Sequence, residues 1–299
     1  PCLAPLVRDP IGHSRCTTPL CHICTVQVGS RKAILVAFAA NLGIAIAKFA
    51  GFLVTASASL LAEAGHSLAD TGNQGLLLLG GKRARRSATP EHPFGYGRER
   101  YFWSFVVALV LFSMGGLFAL YEGIQKLRDP HETEQLGVAV GILLFACALE
   151  TFSLRPAVRE AGHVKLPGVG WWQFIRRSKQ PELPVVLLED IGAEIGLLLA
   201  LGGVLLAHVT DEPRWDALGS LSIGVLLVVI AFVLAVEMKG LLIGESATPA
   251  DEERIVAALT SAPKVSRLIH LRTEHLGPDE LLVAAKVERA SVIDRTAFA

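Results

Sequence analysis

Six long apolar segments, separated by shorter polar ones, dominate the pattern of the chain. They lie at residues 33–54, 58–81, 102–124, 136–154, 185–209 and 217–236. Each is close to the roughly 20 residues that a helix needs to cross the ~30 Å apolar core of a bilayer. The pattern predicts an all-α membrane protein with six transmembrane helices, which are called predicted spans one to six.

The two ends of the chain lack the long apolar segments. Residues 1–31 show no periodicity and predict a disordered tail, in which Cys21 and Cys24 are either a weak metal clip or chance cysteines. Residues 246–299 carry a helical pattern at 249–261, followed by strand patterns at 265–274 and 280–287 around a Gly277-Pro278-Asp279 turn. The predicted domains are therefore a 1–31 tail, a 32–245 transmembrane domain and a short 246–299 αββ domain.

Composition supports a membrane protein, and the charge pattern orients it. The chain is 52% hydrophobic and 19% charged, with a mean hydropathy of +0.47. The polar segments after predicted spans two and four are rich in Lys and Arg, whereas those after spans three and five are not. The positive-inside rule then places both termini in the cytoplasm, with the cell membrane as the expected location. We expect membrane lipid as a partner, and we expect no binding to nucleic acid.

A histidine and an aspartate lie within the apolar sequence of predicted span two. His66 and Asp70 are four residues apart, about one helical turn, so both project from the same face. Ionisable groups inside a span are costly and mark ion or proton paths. An imidazole and a carboxylate on one face form half of a tetrahedral site for a divalent metal. Asn73, one turn further on, either lines the same cavity or joins helices by hydrogen bonds.

Acidic residues concentrate in predicted spans four and five. Span five contains Glu189, Asp190 and Glu194, of which the last two share a face while Glu189 lies about 100° from Asp190. They either bind a cation or form structural ion pairs with groups such as Lys48. Glu150 in span four is either paired with Arg155 or serves as a proton carrier or auxiliary ligand.

Several segments together resemble one family. They are residues 61–70 (LAEAGHSLAD), 92–98 (HPFGYGR), 216–220 (DALGS), 271–273 (LRT) and 276–278 (LGP). On these residues the chain is similar to the cation diffusion facilitators, which are proton-coupled zinc and manganese exporters. The resemblance covers roughly residues 33–288. It implies a homodimer with a ferredoxin-like, metallochaperone-like cytoplasmic domain, which residues 246–299 would form incompletely.

The resemblance also implies a transport site. The family pairs an HxxxD or DxxxD motif on span two with one on span five; His66 and Asp70 match the first, and Asp190 matches the aspartate of the second. The usual histidine position is Val186, so this chain departs from the family there. Glu189 is the preferred replacement, with Glu194 and Glu150 as others. The expected metal ligands are His66, Asp70, Asp190 and Glu189, with Glu150, Glu194 and Asn73 as auxiliary or proton-coupling residues.

The expected activity is export rather than catalysis. No permanently bound cofactor is expected; the transported ion would be Zn2+, or else Mn2+, Co2+ or Fe2+, with H+ as counter-ion. A membrane metal-dependent hydrolase would need several histidines deep in the spans, and only His66 is mid-span. The missing span-five histidine leaves a non-transporting membrane scaffold as the other alternative.

Overall fold

The structure is a computed structural model that describes most of the chain from residue 58 onward. The described residues are 7–8, 14–15, 34–35, 38–39, 41–47, 49–50, 53, 58–129, 136–165 and 168–289, with the backbone alone at 7–8, 14–15 and 58–66. In the first region, β1 (Val7–Arg8) pairs antiparallel with β2 (Ser14–Arg15). The sequence pattern did not predict this short pairing. The cysteines Cys21 and Cys24 and also Lys48 lie outside the described residues.

Seven helices have defined bounds among the described residues. They are α1 (Ala58–Arg83), α2 (Glu99–Arg128), α3 (Leu136–Val164), α4 (Trp171–Arg177), α5 (Glu182–Thr210), α6 (Arg214–Ile243) and α7 (Pro249–Thr260). Helix α2 contains a π-helical segment, Leu111–Leu117. The described residues between 34 and 53, in predicted span one, are also helical.

Four of these helices are long and apolar enough to cross a membrane. Within the described part of the chain, α2, α3, α5 and α6 meet that standard. They confirm predicted spans three to six. Helix α1 contains predicted span two and is not one of these four helices. Polar residues of the predicted site interrupt its apolar sequence, although the helix itself is continuous. The architecture is thus mostly helical, as predicted.

Small residues let the membrane helices approach closely. A Cβ on Gly203 of α5 would lie 3.0 Å from the Trp215 carbonyl oxygen of α6, and one on Gly224 of α6 would lie 2.7 Å from the Leu120 backbone nitrogen of α2. Close backbone approach at glycine is a common way of packing helices in membranes. Helix α6 therefore packs on both α5 and α2, while α5 also packs on α3.

A small αββ unit follows α6. Gly244 ends α6 with φ of 116°, a conformation that favours glycine. Thr248 then caps α7 by accepting a hydrogen bond from the backbone N–H of Asp251, with Pro249 in the first turn. Strands β3 (Val265–Gly277) and β4 (Glu280–Arg289) pair antiparallel through to Gly277 and Glu280. The predicted helix and two strands are confirmed, and the strands are longer than predicted because pairing continues to Gly277 at the turn and to Arg289 at the other end of the hairpin.

The tip of this hairpin packs against the start of α2. A Cβ on Gly97 would lie 2.7 Å from the Leu276 carbonyl oxygen, so the two backbones are in direct contact. Arg98 pairs with Glu274, and Arg100 pairs with Asp279 of the turn at 2.8 Å. The hairpin therefore covers the end of the helix bundle at which α2 and α5 begin.

Candidate metal site between helices α1, α3 and α5

The polar face predicted for α1 is buried in the helix bundle. Asp70, Asn73 and Gln74 are all less than one tenth exposed, although they lie in a helix surrounded by apolar neighbours. Asp70 and Asn73 are three residues apart and share a face of the helix. Burying such groups without partners is costly, so their position requires something polar opposite them.

Helix α5 supplies the opposing polar groups. Glu189 and Asp190 are both buried. The Asn73 side-chain amide donates a hydrogen bond to Glu189 Oε1 at 2.5 Å, which joins α1 to α5. Glu189 also lies within electrostatic range of Asp70, Asp190 and Glu150. The structure therefore brings together residues that are far apart in sequence and that the sequence analysis singled out separately.

A cavity of about 270 Å3 connects this cluster to one end of the bundle. Asp70 of α1, Glu150 of α3 and Glu189 of α5 lie in its wall, together with Glu122 of α2 and Ser220 of α6. Glu122 and Ser220 are near the ends of their helices that lie away from the C-terminal hairpin. The cavity thus runs from the acidic cluster toward the end of the bundle opposite the hairpin.

The other side of the cluster is closed by packing. Every residue of α5 from 182 to 187 is buried. Arg100 forms an ion pair with Glu182 in the first turn of α5 and with Asp279 of the hairpin turn. Glu182 and Glu189 are seven residues apart, or about 10 Å along the helix. The acidic cluster is therefore separated from the hairpin side by a layer of packed side chains.

The π-helical segment of α2 forms part of the same cavity wall. Leu111, Met114 and Gly115 of this segment line the cavity. π-helical turns are rare and are frequent at functional sites. The sequence shows no signal for it beyond the adjacent Gly115 and Gly116, which the sequence analysis did not use.

Two predicted acidic residues lie outside the cavity wall. Glu194 accepts a hydrogen bond from the Thr151 hydroxyl at 2.9 Å, at the contact between α5 and α3. Asp190 is buried and adjoins the cluster, yet it is not a lining residue. Glu189, rather than either of these, is the α5 carboxylate that lines the cavity together with Asp70.

Several buried polar atoms of the cluster lack a hydrogen-bond partner in the described part of the chain. They are Asn73 Oδ1, both amide atoms of Gln74, Glu189 Oε2, Asp190 Oδ2 and Glu194 Oε2. Unpaired buried polar atoms are uncommon and are usually explained by an unobserved ion, water or proton. Gln74 follows Asn73 in the sequence and has the same two interpretations, lining the cavity or joining helices, but it was not among the expected site residues. The chemistry of this donor set, oxygen atoms with one imidazole expected nearby, fits a divalent cation.

For His66, the histidine of the predicted site, the structure describes the backbone alone. The backbone of His66 lies in α1 one turn before Asp70, and its side chain is outside the described residues. Within the described part, no group of three or more His, Cys, Asp or Glu side chains is arranged to hold a metal ion. His66 as a ligand therefore stays a prediction.

Val186, at the position where the family has histidine, belongs to the apolar core. Its side chain is 2% exposed and packs in a cluster that includes Leu77, Val107 and Leu234. A buried aliphatic side chain supplies no metal ligand, so Val186 does not take the place of the family's histidine.

The structure is that of a polytopic membrane protein with a cluster of buried acidic side chains between its helices. A family model described as a cation efflux transmembrane domain matches residues 34–243. The chain therefore belongs to the cation efflux, or cation diffusion facilitator, family, as the resemblance predicted. It is an integral membrane protein of a transporter family, and the prediction that it is not an enzyme is confirmed.

Three curated relatives illustrate the similarity. The proton-coupled zinc antiporter SLC30A9, mitochondrial, of Mus musculus is 33% identical over 261 residues, which is 87% of this chain and 46% of the relative. A metal tolerance protein of Arabidopsis thaliana is 26% identical over 288 residues, 95% of this chain and 63% of the relative. Zinc transporter ZitB of Pectobacterium atrosepticum is 24% identical over 259 residues, 86% and 75% respectively. The chain spans about half the length of the first of these.

Proposed function

We propose that the protein exports a divalent cation in exchange for protons, and that the preferred cation is Zn2+. The observation that carries this proposal is that Asp70, Glu150 and Glu189, from three different helices, line one buried cavity. Mn2+, Co2+ and Fe2+ are the alternative cargoes. The names of two relatives, a proton-coupled zinc antiporter and a zinc transporter, support zinc and proton exchange.

The proposed ligands of the transported ion are His66, Asp70, Asp190 and Glu189. Glu150, Glu194 and Asn73 are proposed as auxiliary or proton-coupling residues. Several carboxylates buried together repel one another and lose their hydration, so they need either a bound cation or protons to balance their charge. A cation and protons therefore compete for the same oxygens, and this competition is the physical basis of exchange.

The arrangement of the cavity supports the proposal of alternating access. The proposed orientation places both termini and the hairpin in the cytoplasm, in a cell-membrane protein of six spans. The cavity then opens outward, while the packed first turns of α5 and the Arg100–Glu182 pair close the inner side. In this state protons enter from outside and displace the cation; the inward-open state would require the Arg100 contacts to rearrange.

The proposed assembly is a homodimer in membrane lipid. The domain boundaries proposed are 1–31, 32–245 and 246–299, and the αββ unit is proposed to be part of a ferredoxin-like domain. The described sheet, in which β3 pairs with β4, provides one strand pairing on which such a domain would be built.

The test is metal flux into vesicles that contain the purified full chain. Uptake of Zn2+, Mn2+, Co2+ and Fe2+ is measured with and without a pH gradient. The proposal expects gradient-dependent Zn2+ flux that Asp70→Ala abolishes and that Asp211→Ala, a substitution in the polar segment after α5, leaves intact. Undiminished flux in Asp70→Ala would refute it.

A further inference from the structure

Asn73 and Glu189 form a buried polar link between α1 and α5. The Asn73 amide nitrogen donates to Glu189 Oε1 at 2.5 Å, and both side chains are almost fully buried. Their positions are 116 residues apart in the chain. The link lies beside the cavity, because Glu189 is in its wall and Asn73 is on the same face of α1 as Asp70.

The link uses only one of the two carboxylate oxygens. Glu189 Oε2 has no hydrogen-bond partner among the described residues, although the side chain is buried. An amide donor holds Oε1 and fixes the plane of the carboxylate, which leaves Oε2 as the free oxygen. Asn73 is neutral, so it restrains the carboxylate without supplying a charge that would compete with a cation.

We infer that Asn73 is a positioning residue that makes Glu189 a one-oxygen ligand and thereby favours Zn2+ over Mn2+. The inference rests on the proposed function, because it assumes that the cation binds in this cavity. Zn2+ in proteins is usually four-coordinate and tetrahedral. Mn2+ prefers six oxygen ligands in an octahedral arrangement. A carboxylate with one oxygen already hydrogen-bonded provides a single oxygen ligand to the cation, which suits the lower coordination number of Zn2+.

A purely structural role for Asn73 predicts something different. If the amide only joined two helices, its loss would lower the stability of the bundle and the flux of both ions by the same factor. A positioning role changes the ratio of the two fluxes, because a released Glu189 can bind the larger ion through both oxygens. The ratio of Zn2+ to Mn2+ flux is therefore the informative measurement.

The variant to test is Asn73→Leu, which keeps the number and branching of the side-chain heavy atoms and removes the donor. The expected result is a fall of about tenfold in the Zn2+ to Mn2+ flux ratio, the size expected for losing one hydrogen bond to a charged group. Asn73→Gln retains an amide donor and is expected to keep the ratio within about threefold of the natural chain.

Asn41 provides a matched control. It is a buried amide with the same 3% exposure as Asn73, and it accepts a hydrogen bond from the Ser153 hydroxyl at 3.1 Å. Asn41→Leu removes a comparable helix-joining contact and is expected to leave the flux ratio unchanged. An equal shift of the ratio in Asn41→Leu and Asn73→Leu would overturn the inference.

The remaining outcomes are also decisive. If Asn73→Leu lowers both fluxes without changing their ratio, Asn73 is structural and the inference fails. If this variant is not recovered folded, the ratio of Zn2+ to Mn2+ dissociation constants is measured on detergent-purified Asn73→Ala, with the same expectation. A natural chain that moves neither ion would refute the proposed function itself. Flux that Asp70→Ala stops, with a ratio insensitive to Asn73, would refute only this inference.

Discussion

The guanidinium of Arg100 at the start of α2 forms an ion pair with the carboxylate of Glu182 at the start of α5. The Arg100 and Glu182 side chains are only 12% and 3% exposed, and Arg100 also reaches Asp279 of the hairpin turn. One side chain thus ties together two membrane helices and the C-terminal unit, on the closed side of the proposed cation path.

Removing Arg100 should destabilise the protein strongly. Arg100→Leu leaves Glu182 buried without its partner, and breaking a buried pair on one side costs about 3–5 kcal/mol. The free energy of unfolding in detergent, measured by denaturant titration, should fall by that amount.

Arg267→Leu is the control for the Arg100 substitution. Arg267 pairs with Glu288, but these side chains are 72% and 53% exposed. Exposed pairs contribute about 0–1 kcal/mol. Similar losses in the two variants would show that the Arg100 pair is no more important than a surface contact.

The contact between Gly97 and the hairpin should not tolerate a side chain. In Gly97→Ala the new Cβ would lie 2.7 Å from the Leu276 carbonyl oxygen and 3.1 Å from Gly277 Cα, so the hairpin must move away. We expect faster hydrogen exchange of the backbone amides in residues 265–289, measured by mass spectrometry. Gly81→Ala in α1 is the control: nothing lies within 4 Å of its new Cβ, and alanine favours the helix. Unchanged exchange in Gly97→Ala would contradict the described docking.

His275 should make the stability of the αββ unit depend on pH. The side chain is buried, with Lys179, Asp251 and Glu245 close enough to act on its charge. Burial lowers the pKa of His275 below its ordinary value of about 6.5. The unfolded chain then binds a proton more readily than the folded one, so stability is full above pH 6.5 and falls as the pH drops below about 6.5.

The measurement for His275 is thermal unfolding at pH 7.5 and 5.5. The natural chain should lose more stability at the lower pH than His275→Leu, which cannot be protonated at this position. His270→Leu changes an exposed histidine of the same strand and should behave like the natural chain. A pH dependence that survives in His275→Leu would show that another group is responsible.

The sequence predicted a polar face on α1. The spacing of Asp70 and Asn73 implies a shared helix face, and both side chains are buried there. The rotation of α5 was less predictable. Because residues 183–187 are apolar and buried on all sides, no amphipathic pattern indicates how α5 is rotated, and only packing decides that Glu189 lines the cavity together with Asp70.

Other features depend on tertiary packing and left no readable pattern. The π-helical segment 111–117 adapts α2 to α6, where Gly116 lies against Val228. The Arg100–Glu182–Asp279 contact joins residues from three separate segments. The sequence places Arg100 just before predicted span three, but no pattern in it indicates these partners.

The most direct test of the account is proton movement driven by zinc. Vesicles containing the purified chain and an internal pH-sensitive dye receive external Zn2+, and the internal pH is followed. The account predicts that protons leave the vesicle as Zn2+ enters, so that the internal pH rises. Glu189→Gln should reduce this coupling, whereas Glu212→Gln, a change at an exposed residue, should not. Zinc movement with no accompanying pH change in the natural chain would contradict the account.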